Sequence, residues 1–400
     1  MPKSVSICER GRRLLAALLA AALLPAAAAA ADAMPAMKKA ARPELGTSAA
    51  FAPDGTLYAV AKQGEHVVLY RSADEGASWS APALVNAQPE AIAADGEGRP
   101  KLAFAADGAL LVSWTRPLGK PYSGEIRLAR AADGDTFLPP ISVHRDRAEI
   151  THRFESLLVV PDGRVVVAWI DKRDLEAAKA AATAYRGAAV YAAVSADGGK
   201  SFQPETKLAD HSCECCRIAA AVDRDGTPLF MWRHVFAPNE RDHALVRLAA
   251  GTPSPQRVTF DRWRLDGCPH HGPSLAVDAA GRRHAVWFNQ IDGEGQVSYG
   301  RLPAAGEAAV SGQRRVGGAG AAHADLAVAG TQVGIVWKEF DGERTRLRAE
   351  ISADGGASFR PLELAVSEGA SDQPRALHRG GELFAFWRTE REGMRLFPLR

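Results

Sequence analysis

From residue 44 onward, apolar and polar positions alternate in short runs that come in pairs, with a glycine turn between the two runs. The unit reads FAPDGTLYAV at 51–60, AFAADGALLVSW at 103–114, VVPDGRVVVAW at 159–169 and AVDRDGTPLFMW at 221–232. It returns with altered turns as AVDAAGRRHAVW at 276–287, AVAGTQVGIVW at 327–337 and ALHRGGELFAFW at 376–387. A period of two marks a strand buried on one face, and Asp-Gly between two such runs marks a tight hairpin. The turn glycines are Gly55, Gly108, Gly163, Gly226, Gly281, Gly330 and Gly380, spaced 49 to 63 residues apart. Seven hairpins at so regular a spacing predict an all-β radial or stacked array of small sheets.

A second element follows several of the hairpins. Ser72-Ala73-Asp74-Glu75-Gly76-Ala77-Ser78-Trp79 matches Ser195 to Phe202 and Ser352 to Phe359, and Asp133 to Phe137 is a shorter copy. Asp and Ser side chains hydrogen-bond nearby backbone, glycine permits positive φ, and the closing aromatic tucks into a sheet. The pattern resembles the Asp-box of sialidase-like β-propellers. That resemblance implies one propeller domain over residues 44–400, of four-stranded antiparallel blades (A to D) with the Asp-box at the C–D turn. Seven blades fit the repeat count, with six, as in sialidases, the alternative. The last unit supplies only three strands, so a segment near Lys38–Leu45 is expected to close its blade.

Sialidase chemistry is poorly matched. The family's hydrolases carry a Phe/Tyr-Arg-Ile-Pro motif in the first blade, a three-arginine cluster for the sialic carboxylate, and a Tyr nucleophile paired with Glu. Here the first blade reads Gly46-Thr47-Ser48-Ala49-Ala50-Phe51. Arg153, Arg217 and Arg375, with His152, begin A strands and are candidates to grip an acidic sugar, or else blade-end ion pairs. Tyr299 aligns with Tyr70 in an ordinary C strand and reads as blade packing. The tryptophans at 79, 114, 169, 232, 287, 337 and 387 recur at repeat positions and read as core. No catalytic residue is assigned, and whether the chain is an enzyme stays open.

The departures from the repeat fall in D–A and B–C connections, which share the face opposite the Asp-boxes. His211-Ser212-Cys213-Glu214-Cys215-Cys216-Arg217 leads into the fourth unit, and Asp266-Gly267-Cys268-Pro269-His270-His271-Gly272 into the fifth. The B–C connection of the third unit, 171–187, is long and its Ala-rich part, 175–185, predicts a short helix. Cys213, Cys215, Cys216, Cys268, His270 and His271 are therefore candidate ligands for copper or zinc at the propeller mouth, since thiolate and imidazole suit those ions. Disulfides are the competing reading in an exported chain. His152, His323 and Asp372, and separately Asp171, Arg173 and Asp174, are weaker candidates on the same face, where such residues are more often simply solvated.

Composition narrows the partners. The chain has 400 residues, 49 Lys and Arg against 47 Asp and Glu, and 46% hydrophobic residues. That balance lacks the basic surplus a nucleic-acid binder needs. Arg12-Arg13 runs into the apolar block Leu14–Ala31, and Ala31-Asp32-Ala33 offers a cleavage site, so residues 1–33 read as a signal peptide and 34–43 as a short N-terminal segment. A periplasmic or secreted protein, free of the membrane after cleavage, is expected. Its ligand is expected to be a metal ion, or alternatively a glycan that it binds or cleaves as an exo-glycosidase.

Overall fold

The Asp-Gly turns and the period of two resolve into seven antiparallel sheets arranged as a β-propeller. The computed structural model describes residues 44–303 and 310–400; the expected signal peptide and the 34–43 segment lie outside them. Six sheets have four strands in sequence order, and the seventh has three. The innermost (A) strands are Thr47–Phe51, Lys101–Phe104, His152–Val159, Ala219–Val222, Ser274–Val277, Ala321–Ala329 and Arg375–Arg379. In the first blade Phe51 faces Leu57 across the turn and Leu57 faces Ser72 on the next strand, a simple up-and-down meander. The expected helix is present as α1 (Arg173–Ala180). Among the described residues no helix is long and apolar enough to cross a membrane.

Tryptophans fill the seams between blades. Trp114, Trp169, Trp232, Trp287, Trp337 and Trp387 are at most 2% exposed. Each lies in an apolar cluster shared with the preceding blade, as Trp114 does with Val60 and Leu69. The seam between the seventh and first blades receives Trp79 instead, half-buried against Phe386 with ring centroids 6.2 Å apart. Its Nε1 donates to the Met394 carbonyl at 3.2 Å. That seam is therefore filled by an Asp-box aromatic. The expected fourth strand does not form as far as that segment is described, because Glu44 and Leu45 belong to no strand. The rest of Lys38–Leu45 lies outside the described residues.

The Asp-boxes form one repeated turn. Asp197 Oδ1 accepts from the Ser195 hydroxyl (2.7 Å) and the Ser201 amide (3.0 Å), and the Gly199 amide donates to Ser195 Oγ at 2.8 Å. Asp74 and Asp354 repeat these contacts. In the third full copy, a Cβ on Gly356 would lie 1.9 Å from the Tyr299 hydroxyl, so only glycine fits. Tyr299 is itself fully buried, as blade packing requires. Antiparallel order puts these C–D turns on the face opposite the D–A connections.

Hydrogen bonds from Ser78 hold the Asp74 carboxyl down at about 2. At Asp197 slight burial pulls upward, but donors from Ser201 and Ser195 outweigh it, again giving about 2. Because the folded values lie below the ordinary aspartate value of 3.8, this stabilisation is present above about pH 4. It is lost as pH falls toward 2. Asp197→Ala should cost about 1 kcal/mol at neutral pH through lost hydrogen bonds. The difference from wild type, read from urea midpoints, should shrink as pH is lowered through that window.

Candidate metal centre

The D strand of the third blade (Thr206–Ser212) ends beside the B strand of the fourth (Pro228–Arg233). The Cys213 amide donates to the Arg233 carbonyl at 2.9 Å, and the Val235 amide to the His211 carbonyl at 2.7 Å. These bonds pin the Cys-rich connection against the seam. Cys213, Cys215 and Cys216 are 1%, 5% and 2% exposed and lie in the apolar cluster of Val190, Leu208, Phe230 and Trp232. Their sulfurs all lie within 4.8 Å of one another, with Cys213 and Cys215 3.8 Å apart and Cys215 and Cys216 3.9 Å apart. All four described cysteines are free thiols, and Cys268 is exposed.

The thiols share protons unequally. Hydrogen bonds from Cys215, Cys216 and Cys268 push Cys213 well below the usual thiol range, and the Arg233 charge adds to this. Cys215 is raised because it donates to its neighbours. Arg233 is fully buried. Its guanidinium donates to Asn289 Oδ1 at 2.8 Å and to the His271 carbonyl at 3.0 Å. Among the described residues it has no carboxylate partner. A buried cation without a counter-charge is costly, and the Arg233 charge favours the ionised form of Cys213.

The two histidines go elsewhere. His271 is stacked between Phe288 (4.1 Å) and His323 (4.1 Å), away from the sulfurs, and burial together with the His323 ring lowers it to about 3. His270, at φ 52°, is exposed and lines a depression of about 330 Å³ with Glu97, His323, Lys338 and Asp372. Neither belongs to the group of three sulfurs.

The arginines are also placed. Arg217 and Arg375 line the central channel, a cavity of about 260 Å³ bounded by the A strands of all seven blades; Arg153 does not. Each has an acidic partner: Glu97 for Arg217 (3.0 Å), Asp325 for Arg375 (3.2 Å) and Asp95 for Arg153 (3.0 Å). The blade-end ion pairs thus form at all three arginines.

Sequence reasoning missed Glu97 altogether. This buried carboxylate accepts from the Arg217 amide (2.9 Å), the Gly272 amide (3.1 Å) and Gln373 Nε2 (3.0 Å). Burial alone would raise it, but the Arg217 charge and the His323 ring outweigh that and hold it far below the usual range. A Cβ on Gly272 would meet Glu97 Oε2 at 2.6 Å, so the fifth blade approaches this closely only through glycine. Arg99 is a second missed residue, bidentate on Asp372 at 2.9 Å on both oxygens, with both side chains 3% exposed. Asp372 is therefore buried and paired, not solvated.

A second group of ligand atoms, Asp146, His152 and Asp171, also fits within 4.8 Å. His152 and Asp171, read from sequence as solvated loop residues, are fully buried. Asp171 accepts from Trp169 Nε1 at 2.8 Å and from Arg173 Nη2 at 2.8 Å, and Asp174 accepts from the Tyr191 hydroxyl at 2.8 Å. Lys172 pairs with Glu214, which links this group to the Cys-rich connection.

Removing the Glu97 carboxylate would strand Arg217 without its partner. Glu97→Ala should therefore cost about 3–5 kcal/mol, measurable by chemical denaturation.

No protein-family model and no curated protein matches the chain. Among solved structures it is similar to an ulvan lyase of polysaccharide lyase family PL25, with TM-score 0.55 and 12% identity over 88% of this chain and 91% of that one. It is also similar to a protein of unknown function from Dyadobacter fermentans DSM 18053, with TM-score 0.51 and 16% identity over 75% and 92% of the two chains. The NanB sialidase of Streptococcus pneumoniae gives TM-score 0.47 and 10% identity over 74% and 65%, too loose a match to carry the sialidase-like resemblance. The seven sheets of this chain form the propeller, and its likeness to the ulvan lyase shows a shared fold alone.

Proposed function

We propose that this is an exported metal-binding propeller whose Cys213, Cys215 and Cys216 hold one cuprous ion, for sequestration or transfer, at the face bearing the D–A connections. The observation that carries this reading is the spacing of the three buried sulfurs. Ligands held about 2.3 Å from a common ion stand about 3.8 Å apart at a tetrahedral angle and about 4.0 Å apart at 120°. The observed 3.8 and 3.9 Å fall between these values. Soft thiolates select Cu(I) or Zn(II). Three buried sulfurs satisfy trigonal Cu(I), whereas zinc needs a fourth ligand, for which exposed Cys268 is the nearest candidate. Arg233 offsets part of the negative charge that three thiolates bring. The N-terminal leader pattern supports export, where unbridged vicinal thiols gain most from a bound ion.

Anaerobic titration of the reduced full-length chain with Cu(I) against a chromogenic chelator should give one tightly held ion per chain. Cys215→Ala with Cys216→Ala should abolish it and leave the circular dichroism of the fold unchanged. Two intact disulfides and no metal in protein isolated from the periplasm would make the cysteines structural. Stoichiometric zinc bound through Cys268 would change the metal.

A further inference from the structure

We infer a separate, harder cation site: Asp146, His152 and Asp171 take one divalent transition-metal ion of the zinc class at the seam between the second and third blades. The His152 ring is fully buried. Its Nδ1 donates to the Gly124 carbonyl at 3.0 Å, so in the neutral ring Nε2 carries the lone pair. That nitrogen has no hydrogen-bond partner. It faces Asp146 Oδ2 at 3.6 Å and Asp171 Oδ2 at 3.7 Å. These separations are too long for hydrogen bonds. They approach the separation of about 3.4 Å that nitrogen and oxygen ligands adopt around an ion at bonds of about 2.1 Å.

The surroundings suit ligands rather than a free carboxylate pair. A metal-bound imidazole commonly gives its other N–H to a carbonyl, and ligating carboxylates are themselves hydrogen-bonded. Here the Gly124 carbonyl accepts from the imidazole N–H, and Trp169 and Arg173 donate to Asp171 Oδ2. His144 stacks on His152 at 4.0 Å. Both its nitrogens are committed, one accepting from the Ile126 amide (3.1 Å) and the other donating to the Asp146 carbonyl (2.7 Å). It therefore orients the site without ligating. Three carboxylates, Asp146, Asp171 and Glu205, surround one guanidinium, Arg173, which lies 3.7 Å from Asp146 and 3.8 Å from Glu205. The remaining charge of minus two matches a divalent ion. Asp146, with its side chain 22% exposed, opens the site to solvent, leaving a position for water. Imidazole with carboxylates favours zinc-like ions over Cu(I).

The test uses the full-length chain carrying Cys213→Ser, Cys215→Ser and Cys216→Ser, so the thiol reading can fail without affecting the result. After chelator stripping, zinc titration against a metallochromic indicator should show one site per chain. His152→Gln and Asp146→Asn should each weaken it at least tenfold, the latter at a partly exposed position where the fold tolerates the change. If the triple substitution does not fold, cobalt(II) titration of the wild-type chain serves. Nitrogen–oxygen ligation then gives visible bands that persist when the thiols are alkylated and vanish in Asp146→Asn. No bound zinc, or binding unchanged in both variants, would overturn the assignment.

Discussion

The buried ion pair of Glu97 and Arg217 is the constraint on which the ring depends. Besides Glu97, the Arg217 guanidinium reaches the Pro273 carbonyl (3.1 Å), Gln373 Oε1 (3.2 Å) and the Ala324 carbonyl (2.7 Å). One side chain thus ties the starts of the fourth, fifth, sixth and seventh blades to the connection between the first and second. Arg99, Asp372 and Thr47 join the seventh blade to the first and second, with the Thr47 amide donating to Asp372 Oδ2 at 2.9 Å. Such pairs add little net stability over an apolar core, yet breaking one is expensive. Their effect here is to fix one blade register around an axis that apolar seams alone would leave free to slip.

With the axis locked by charge and the seams filled by indoles, the D–A connections are free to vary in chemistry. The seam of the third and fourth blades shows what that freedom allows. Trp114, Trp169, Trp287 and Trp337 each donate to a carboxylate at 2.7–2.8 Å. Trp232 alone among the repeat indoles has a buried N–H with no partner, and it lies in the cluster that holds the three thiols. Where the repeat elsewhere places an acidic acceptor, this seam carries sulfur.

The repeated features were legible in the sequence because they are local. A period of two, an Asp-Gly turn and an eight-residue Asp-box each encode their own geometry, and seven copies leave little choice of fold. The thiol group was legible for the same reason: Cys213, Cys215 and Cys216 fall within four residues, so one turn must gather them. His270 and His271 show the limit. They are adjacent in sequence, but stacking on Phe288 and His323 captures one ring while the left-handed backbone of the other turns it to solvent. Glu97 was not legible at all. It sits in a stretch that reads as a solvated loop, and its partners are 120, 175 and 276 residues away. Asp146 escaped for the same reason, since its ligand character appears only when the blade brings His152 and Asp171 beside it.

Charge explains why the two ligand groups stand where they do. Three neighbouring thiols cannot all ionise in an apolar seam without a cation, and Arg233 lies buried beside them with no carboxylate partner among the described residues. Each makes the other's burial tolerable. In the third blade Asp171 is held by Arg173, and the intervening Lys172 pairs with Glu214, between Cys213 and Cys215. Acidic and basic groups therefore alternate from the carboxylate cluster to the sulfur cluster. The soft and hard donors remain in separate pockets because sulfur is lodged among Val190, Phe230 and Trp232, whereas the carboxylates keep Arg173 and solvent beside them. Donor type and surroundings thus agree in each group: sulfur in a dry, apolar pocket, and carboxylates with imidazole in a wetter, anionic one.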